Sequence, residues 1–283
     1  MNISQLLRQA PINKRDATYI LMHVLGMDQV QILTSPNLVI DHENVEIFNK
    51  MAEQVASDTP MEYVINTAFF MGLDFYVNGD VLIPRNDTEI LVEEAIRHIK
   101  ATNAKTVLDM CTGSGCILIS LLHHTKAQGV GVDISHKALD IAKKNAIRNN
   151  VISKAEFILS DMFNNIKKVK KGGSDAGVSS TCKFDMIISN PPYIPTAHIP
   201  ALDHSVKAHE PYLALDGGLD GLNFYHILAE EAGAFLNPGG AIFLEIGHDQ
   251  GESVKGIYFT AGYSKVTIKK DYAGHDRIAV ILA

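Results

Sequence analysis

Two short segments carry the residue types from which a group-transfer site can be built. The first is Asn190-Pro191-Pro192-Tyr193, directly after the apolar run Met186 to Ser189. The prolines fix the backbone and remove two donors, so the Pro191 carbonyl is free to accept a hydrogen bond. The Asn190 side-chain oxygen is a second acceptor. Together they can grip both hydrogens of one NH2 group, and Tyr193 offers a flat face to a planar amide or base. An amide nitrogen is a poor nucleophile because its lone pair is delocalised. Acceptors on both hydrogens encourage pyramidal character and aim the lone pair. The chemistry implied is alkylation of a planar NH2 nitrogen, in which positioning supplies roughly 7–11 kcal/mol of barrier reduction in good cases. These residues alone leave open whether the NH2 belongs to an amide or to a nucleobase.

The second segment is Thr106 to Cys116, TVLDMCTGSGC. A strand ending at Asp109 followed by a helix starting near Cys116 puts Cys111, Thr112, Gly113, Ser114 and Gly115 in a tight loop, where the glycines let a ligand approach the backbone closely. Asp133, twenty residues past Gly113, ends the next strand, and a carboxylate there can accept from both hydroxyls of a ribose. The third position of a dinucleotide fingerprint holds Leu118 rather than Gly or Ala, which disfavours a pyrophosphate turn. Asp109 would repel phosphates and suit an ammonium. A ligand with a ribose and an ammonium but no phosphate is S-adenosylmethionine, whose sulfonium is already an activated leaving group, so no strong base is required.

These segments need a scaffold that brings strand ends together. Apolar runs at Thr106–Asp109, Val130–Asp133, Ala155–Leu159, Met186–Ser189 and Ala241–Ile246 alternate with helical stretches, notably Ala138–Asn149 and Phe224–Phe235. The alternation predicts an open, mostly parallel α/β sheet with helices on both faces and ligands at the carboxyl ends of its strands. Lys265–Ile268 and Ile278–Leu282 predict an antiparallel hairpin at one edge. Val77 to Ile83 reads as a further strand. Asn86 with Glu89 three residues on reads as a helix cap and its capping-box partner.

Residues 1 to about 75 carry helical periodicity instead: Ile3, Leu6 and Leu7, then Ala17, Ile20, Leu21, Val24 and Leu25 with Gly26 as a stop, then Val45, Phe48, Met51 and Val55 behind Asp41 as a cap. Two domains follow, a small helical one over 1–75 and the α/β one over 76–283. The stretch 171–181 is rich in Gly and Ser and reads as an exposed loop.

The 283 residues carry a net charge of −7, with 46% hydrophobic and 20% charged residues. That balance is globular and argues against sequence-blind nucleic-acid binding, which needs a basic surface. No apolar run is long enough to span a membrane. Met1 to Arg15 lacks the apolar core of a secretory signal; it also lacks acids and reads as a short amphipathic helix, so an organellar presequence is an alternative. The three cysteines, Cys111, Cys116 and Cys182, imply a reducing compartment rather than a disulfide framework. A cytoplasmic monomer is expected. No metal is expected: His198, His204 and His209 match no ligand spacing.

Around these segments the sequence resembles the PrmC/HemK family of release factor glutamine methyltransferases. The resemblance runs from about Pro60 to the C-terminus and rests on VLIPRNDTE (81–89), LDMCTGSGC, SDMF (160–163), SNPPYIP, EPYLALDGGLDGL (210–222), LNPGG (236–240), LEIGHDQG (244–251) and DYAGHDR (271–277). It implies a Rossmann-like class I S-adenosylmethionine-dependent methyltransferase sheet and transfer of a methyl to the glutamine amide of the Gly-Gly-Gln motif of class I peptide-chain release factors. It further implies that Cys111 to Gly115 form the cofactor loop, Asp133 holds the ribose, Met162 lies beside the adenine, and Asn190 to Tyr193 hold the substrate amide. The helical region would contact the release factor. Family members more often carry Pro at Asn86, and often Gly at Cys111 and Asn66. A ribosomal-protein glutamine methyltransferase and a DNA adenine-N6 methyltransferase are the alternatives, the latter without the basic recognition region it would need.

Overall fold

A computed structural model describes residues 1–166 and 183–283. The loop reading of 171–181 and the reading of Cys182 lie outside the described residues. The chain forms two compact units, Met1–Thr67 with Asp203–His209, and Ala68–Leu202 with Glu210–Ala283.

The first unit holds α1 (Ile3–Gln9), α2 (Lys14–Leu25), α3 (Gln29–Thr34), α4 (His42–Ala56) and α5 (Met61–Val64). Short polar side chains start the helices: Asn2, Asn13, Asp28 and Asp41 each accept from a backbone N–H in the first turn of α1 to α4, which satisfies one otherwise orphaned donor apiece. Gly26 ends α2 at φ 63°, as the sequence predicts. Ile3, Leu6, Ile20, Leu21, Ile32 and Phe48 form the core of this unit.

The second unit opens with a hairpin, β1 (Ala68–Phe70) and β2 (Leu73–Phe75), paired antiparallel. This corrects the helical reading of 68–75. It is followed by α6 (Asn86–Thr102), β3 (Thr106–Met110), α7 (Cys116–His124), β4 (Gln128–Asp133), α8 (His136–Arg148), β5 (Ala155–Leu159) and β6 (Phe184–Ser189). Next come α9 (His204–His209), which belongs to the first unit, then α10 (Asn223–Glu231), β7 (Leu236–Glu245), α11 (Gly251–Thr260), β8 (Lys265–Lys270) and β9 (Asp276–Leu282).

Two further expectations are corrected here. Residues 77–83 form no strand. The Asn145 side chain captures the backbone just before them, accepting from Tyr76 N (2.7 Å) and donating to Tyr76 O (3.0 Å). Val77, Val81 and Ile83 are nonetheless buried, which mimics a strand pattern in the sequence. Asn86 does not cap α6; Arg85 occupies the cap position with extended backbone and no side-chain cap bond. Glu89, the expected capping partner, instead accepts from the Met71 N–H of the β1–β2 turn.

The seven-stranded sheet has the order β5-β4-β3-β6-β7-β9-β8, parallel from β5 through β7 and antiparallel at β9 and β8. From β3 the chain winds outward through β4 to β5, then returns to the other side of β3 as β6. That reversal opens a crevice beyond the carboxyl ends of β3, β4 and β6, where open α/β sheets bind ligands. Leu108, Ile187, Ile242, Leu244, Phe235 and Tyr258 lie in the core of this unit.

Candidate active site

A cavity occupies that crevice. Its wall includes Cys111, Thr112, Gly113 and Ser114 after β3, Asp133 after β4, Met162 after β5, and Asn190 and Pro192 after β6. Gly115, Pro191 and Tyr193, also singled out from sequence, do not line it.

The loop after β3 is built by local geometry. Cys111 and Gly113 sit at φ 60° and 54°, and Thr112 N donates to Val132 O at 2.8 Å, tying the loop to β4. Left-handed backbone costs a non-glycine residue about 1–2 kcal/mol, a cost that Cys111 carries and glycine would not. Asn66 is likewise left-handed at φ 52°, a conformation that Asn tolerates. Gly115 starts α7 at φ 79°, and a Cβ there would meet Ile119 Cδ1 at 2.9 Å. A Cβ there would also meet Ala142 Cβ at 3.1 Å, so the missing side chain lets α7 approach α8. Asn145 on α8 completes the frame by donating to Ser114 O at 2.9 Å.

Asp133 accepts from Gly113 N (2.8 Å) and Ser135 N (2.9 Å), one bond to each carboxylate oxygen. Burial raises its pKa, against the pull of those backbone N–H groups. A carboxylate oxygen has two acceptor sites, so each oxygen can still receive a hydroxyl. Asp109 has a different place from the sequence reading: it is wholly buried, does not line the cavity, and accepts from Thr112 Oγ1 at 2.6 Å. It supports the loop from behind. The cavity wall carries the acids Asp80, Asp133 and Asp161 against one cation, Arg85, which is itself paired with buried Glu210. That electrostatic balance suits a cationic ligand and disfavours phosphates.

Burial pushes the Asp109 carboxyl up to about 7. The folded state therefore favours its protonated form, and stability from this group is complete below the unfolded pKa of about 4 and lost as pH rises through about 7. Asp109→Asn should flatten the fall in unfolding free energy between about pH 4 and 7, by something on the order of 1–4 kcal/mol. Equal slopes for the two proteins in denaturant titrations would contradict this.

Asn190 Nδ2 donates to Thr88 Oγ1 at 3.3 Å, while Asn190 Oδ1 makes no hydrogen bond within the described residues. The Tyr193 hydroxyl contacts Glu245 Oε1 at 3.3 Å, and its ring packs against the sheet core. Burial raises the Tyr193 pKa well above its ordinary value. Gln250 Nε2 donates to Tyr193 O at 3.0 Å and holds the loop after β6 from beneath.

The motif segments meet around this loop. Arg85 pairs with Glu210, Asp87 pairs with Arg277 at 3.2 Å, and Thr88 accepts from Asn190. Thr88, Glu245 and Gln250 lie within motifs quoted above but without an assigned role, and Asn145 was not singled out. A signal existed for two of them: Glu245 is a charge inside the apolar run AIFLEIG, and Asn145 is a polar residue on the apolar stripe of α8. The Cys116 thiol, at the foot of α7, is pushed up to about 12 by burial, which makes it inert. Among the described residues no group of three or more His, Cys, Asp or Glu side chains is placed to hold a metal ion, and no helix is long and apolar enough to cross a membrane.

A seven-stranded sheet with this strand order and a glycine loop, an acid and an Asn-Pro-Pro-Tyr turn at its strand ends defines a class I methyltransferase. Comparison with known proteins agrees: residues 101–247 match the methyltransferase domain model and residues 1–65 match the PrmC N-terminal domain model. The release factor glutamine methyltransferase of Thermodesulfovibrio yellowstonii is 36% identical over 282 residues, covering 99% of this chain and 96% of that one. That of Geobacter sulfurreducens is 36% identical, covering 93% and 87%. The hMettl16 catalytic domain, solved with MAT2A 3′UTR hairpin 6, shares the fold at TM-score 0.55 and 15% identity, covering 83% of this chain and 81% of that one. The chain belongs to the release factor glutamine methyltransferase family.

Proposed function

We propose that this enzyme transfers the methyl of S-adenosylmethionine to the side-chain amide nitrogen of the glutamine in the Gly-Gly-Gln motif of class I release factors. The observation that carries this reading is the state of Asn190. Its Nδ2 donates to Thr88 Oγ1, and its oxygen, which accepts no hydrogen bond among the described residues, stands on the wall of a cavity that also holds Asp133 and is open to a substrate donor. An acceptor placed there selects an NH2 donor and rejects a carboxylate. The relatives named for this activity, matched along nearly their whole length, support the same target.

S-adenosylmethionine supplies a methyl already activated on a positively charged sulfur. Asp133 receives the ribose hydroxyls. Cys111, Thr112, Gly113, Ser114 and Gly115 present and shape the backbone that borders the cofactor. Val132, Ile134 and Met162 give an apolar bed for the adenine. Asn190 Oδ1 and the Pro191 carbonyl take the two amide hydrogens, and Pro192 and Tyr193 keep that turn rigid. The helical region of residues 1–67 contacts the release factor, and direct nucleic-acid contact plays no part.

A release factor whose Gly-Gly-Gln glutamine is replaced by alanine should accept no label from the enzyme, while the unaltered factor is labelled. Equal labelling of both would place the methyl elsewhere and refute the assignment.

A further inference from the structure

Asn145, on α8, is wholly buried, and a buried carboxamide needs partners for its oxygen and for both hydrogens of its nitrogen. It finds them on two segments distant from it in the chain. Oδ1 accepts from Tyr76 N at 2.7 Å, while Nδ2 donates to Tyr76 O at 3.0 Å and to Ser114 O at 2.9 Å. The exchange with Tyr76 has the form of one rung of a β-ladder, with a side-chain amide in place of a neighbouring strand. All three bonds need the amide in one orientation. Turned over, its oxygen would face two carbonyls and its NH2 the Tyr76 N–H.

Both segments build the cofactor cavity. Ser114 belongs to the loop after β3, and Tyr76 stands just before Asp80, Val81, Leu82 and Ile83, which line the same cavity. Those residues form no strand, so their place depends on what holds the chain beside them. Further contacts from α8 reach this segment at the surface: Lys137 pairs with Asp80 at 3.0 Å, and Lys144 Nζ lies 3.1 Å from the centre of the Tyr76 ring. Both lysines are exposed, and water screens such contacts. Asn145 is the buried tie. It does not line the cavity itself, so it acts through the two segments it joins.

We propose that Asn145 is a positioning residue for S-adenosylmethionine, joining the cavity wall at residues 80–83 to the loop at Ser114 and so fixing the space between them. The inference rests on the reading of this cavity as the S-adenosylmethionine site.

The test is steady-state methylation of a release factor by wild type, Asn145→Ala and Asn145→Asp, with calorimetric affinity for S-adenosylmethionine and thermal melting of each protein. Asn145→Ala removes all three bonds. Asn145→Asp keeps an acceptor for the Tyr76 N–H but sets a carboxylate oxygen against the two carbonyls. In both, KM and the dissociation constant for S-adenosylmethionine should rise by about 10–100-fold, the loss expected when buried polar partners are removed. At saturating cofactor, kcat and the KM for release factor should stay within about threefold of wild type, because the loss is one of cofactor binding. A residue that served folding alone would behave differently: less folded enzyme lowers kcat and leaves the cofactor KM unchanged. That pattern would overturn the inference, as would a cofactor KM near wild type in both variants. If neither variant folds, amide hydrogen exchange of the wild type decides. S-adenosylmethionine should slow exchange over residues 76–83 and 111–116 together, and exchange over 76–83 that ignores the cofactor would overturn the inference. A failure of the underlying reading shows differently: wild type itself then binds no S-adenosylmethionine in calorimetry.

Discussion

Asn190→Ala should bind S-adenosylmethionine as wild type does and lose turnover by about 10²–10³-fold, the cost of removing one oriented hydrogen-bond partner of a transition state. The side chain makes one hydrogen bond to the protein, to Thr88, so truncation leaves the fold intact and costs chiefly the substrate contact. The Pro191 carbonyl can still hold one amide hydrogen, so residual activity is expected. Single-turnover methylation at saturating cofactor isolates this step. A rate within a few-fold of wild type would mean that the amide is held by other groups.

Asp133→Ala should weaken cofactor binding by about 10–100-fold, which corresponds to the roughly 1.5–3 kcal/mol of a charge-assisted hydrogen bond. The same carboxylate holds Gly113 N and Ser135 N, so the loop around Gly113 loosens as well and the effect falls toward the upper end. Turnover at saturating cofactor should fall much less than affinity, because Asp133 is remote from the Asn-Pro-Pro-Tyr turn in the chemistry it serves. Calorimetry gives the affinity directly. An unchanged dissociation constant would remove Asp133 from the ribose site.

The parallel strands and their helices were legible because each is a short apolar run at the period of a buried strand, followed by a helical stripe. Ala155–Leu159 was read to the residue. The loop after β3 and the turn after β6 were legible because glycines and prolines restrict backbone in ways a sequence displays. What escaped depends on contacts distant in the chain. Residues 77–83 imitate a strand because three of their apolar side chains are buried, yet the backbone just before them, at Tyr76, is held by Asn145, 69 residues further on. The α6 cap was misassigned because Glu89 finds the Met71 N–H, a partner 18 residues back. The support of Asn190 was invisible for the same reason, since Thr88, 102 residues earlier, meets it only when the sheet has formed. Gly115 and Tyr193, read as part of the cofactor loop and as a flat face for the substrate amide, do not line the cavity: Gly115 admits close packing of α7, and the Tyr193 hydroxyl contacts Glu245.

The most direct test of the central claim is methyl transfer from labelled S-adenosylmethionine to purified unmethylated release factor and unmethylated DNA side by side, followed by peptide mapping. The predicted result is label on the Gly-Gly-Gln glutamine and none on DNA. Label on DNA, or on a release-factor residue other than that glutamine, would contradict the account.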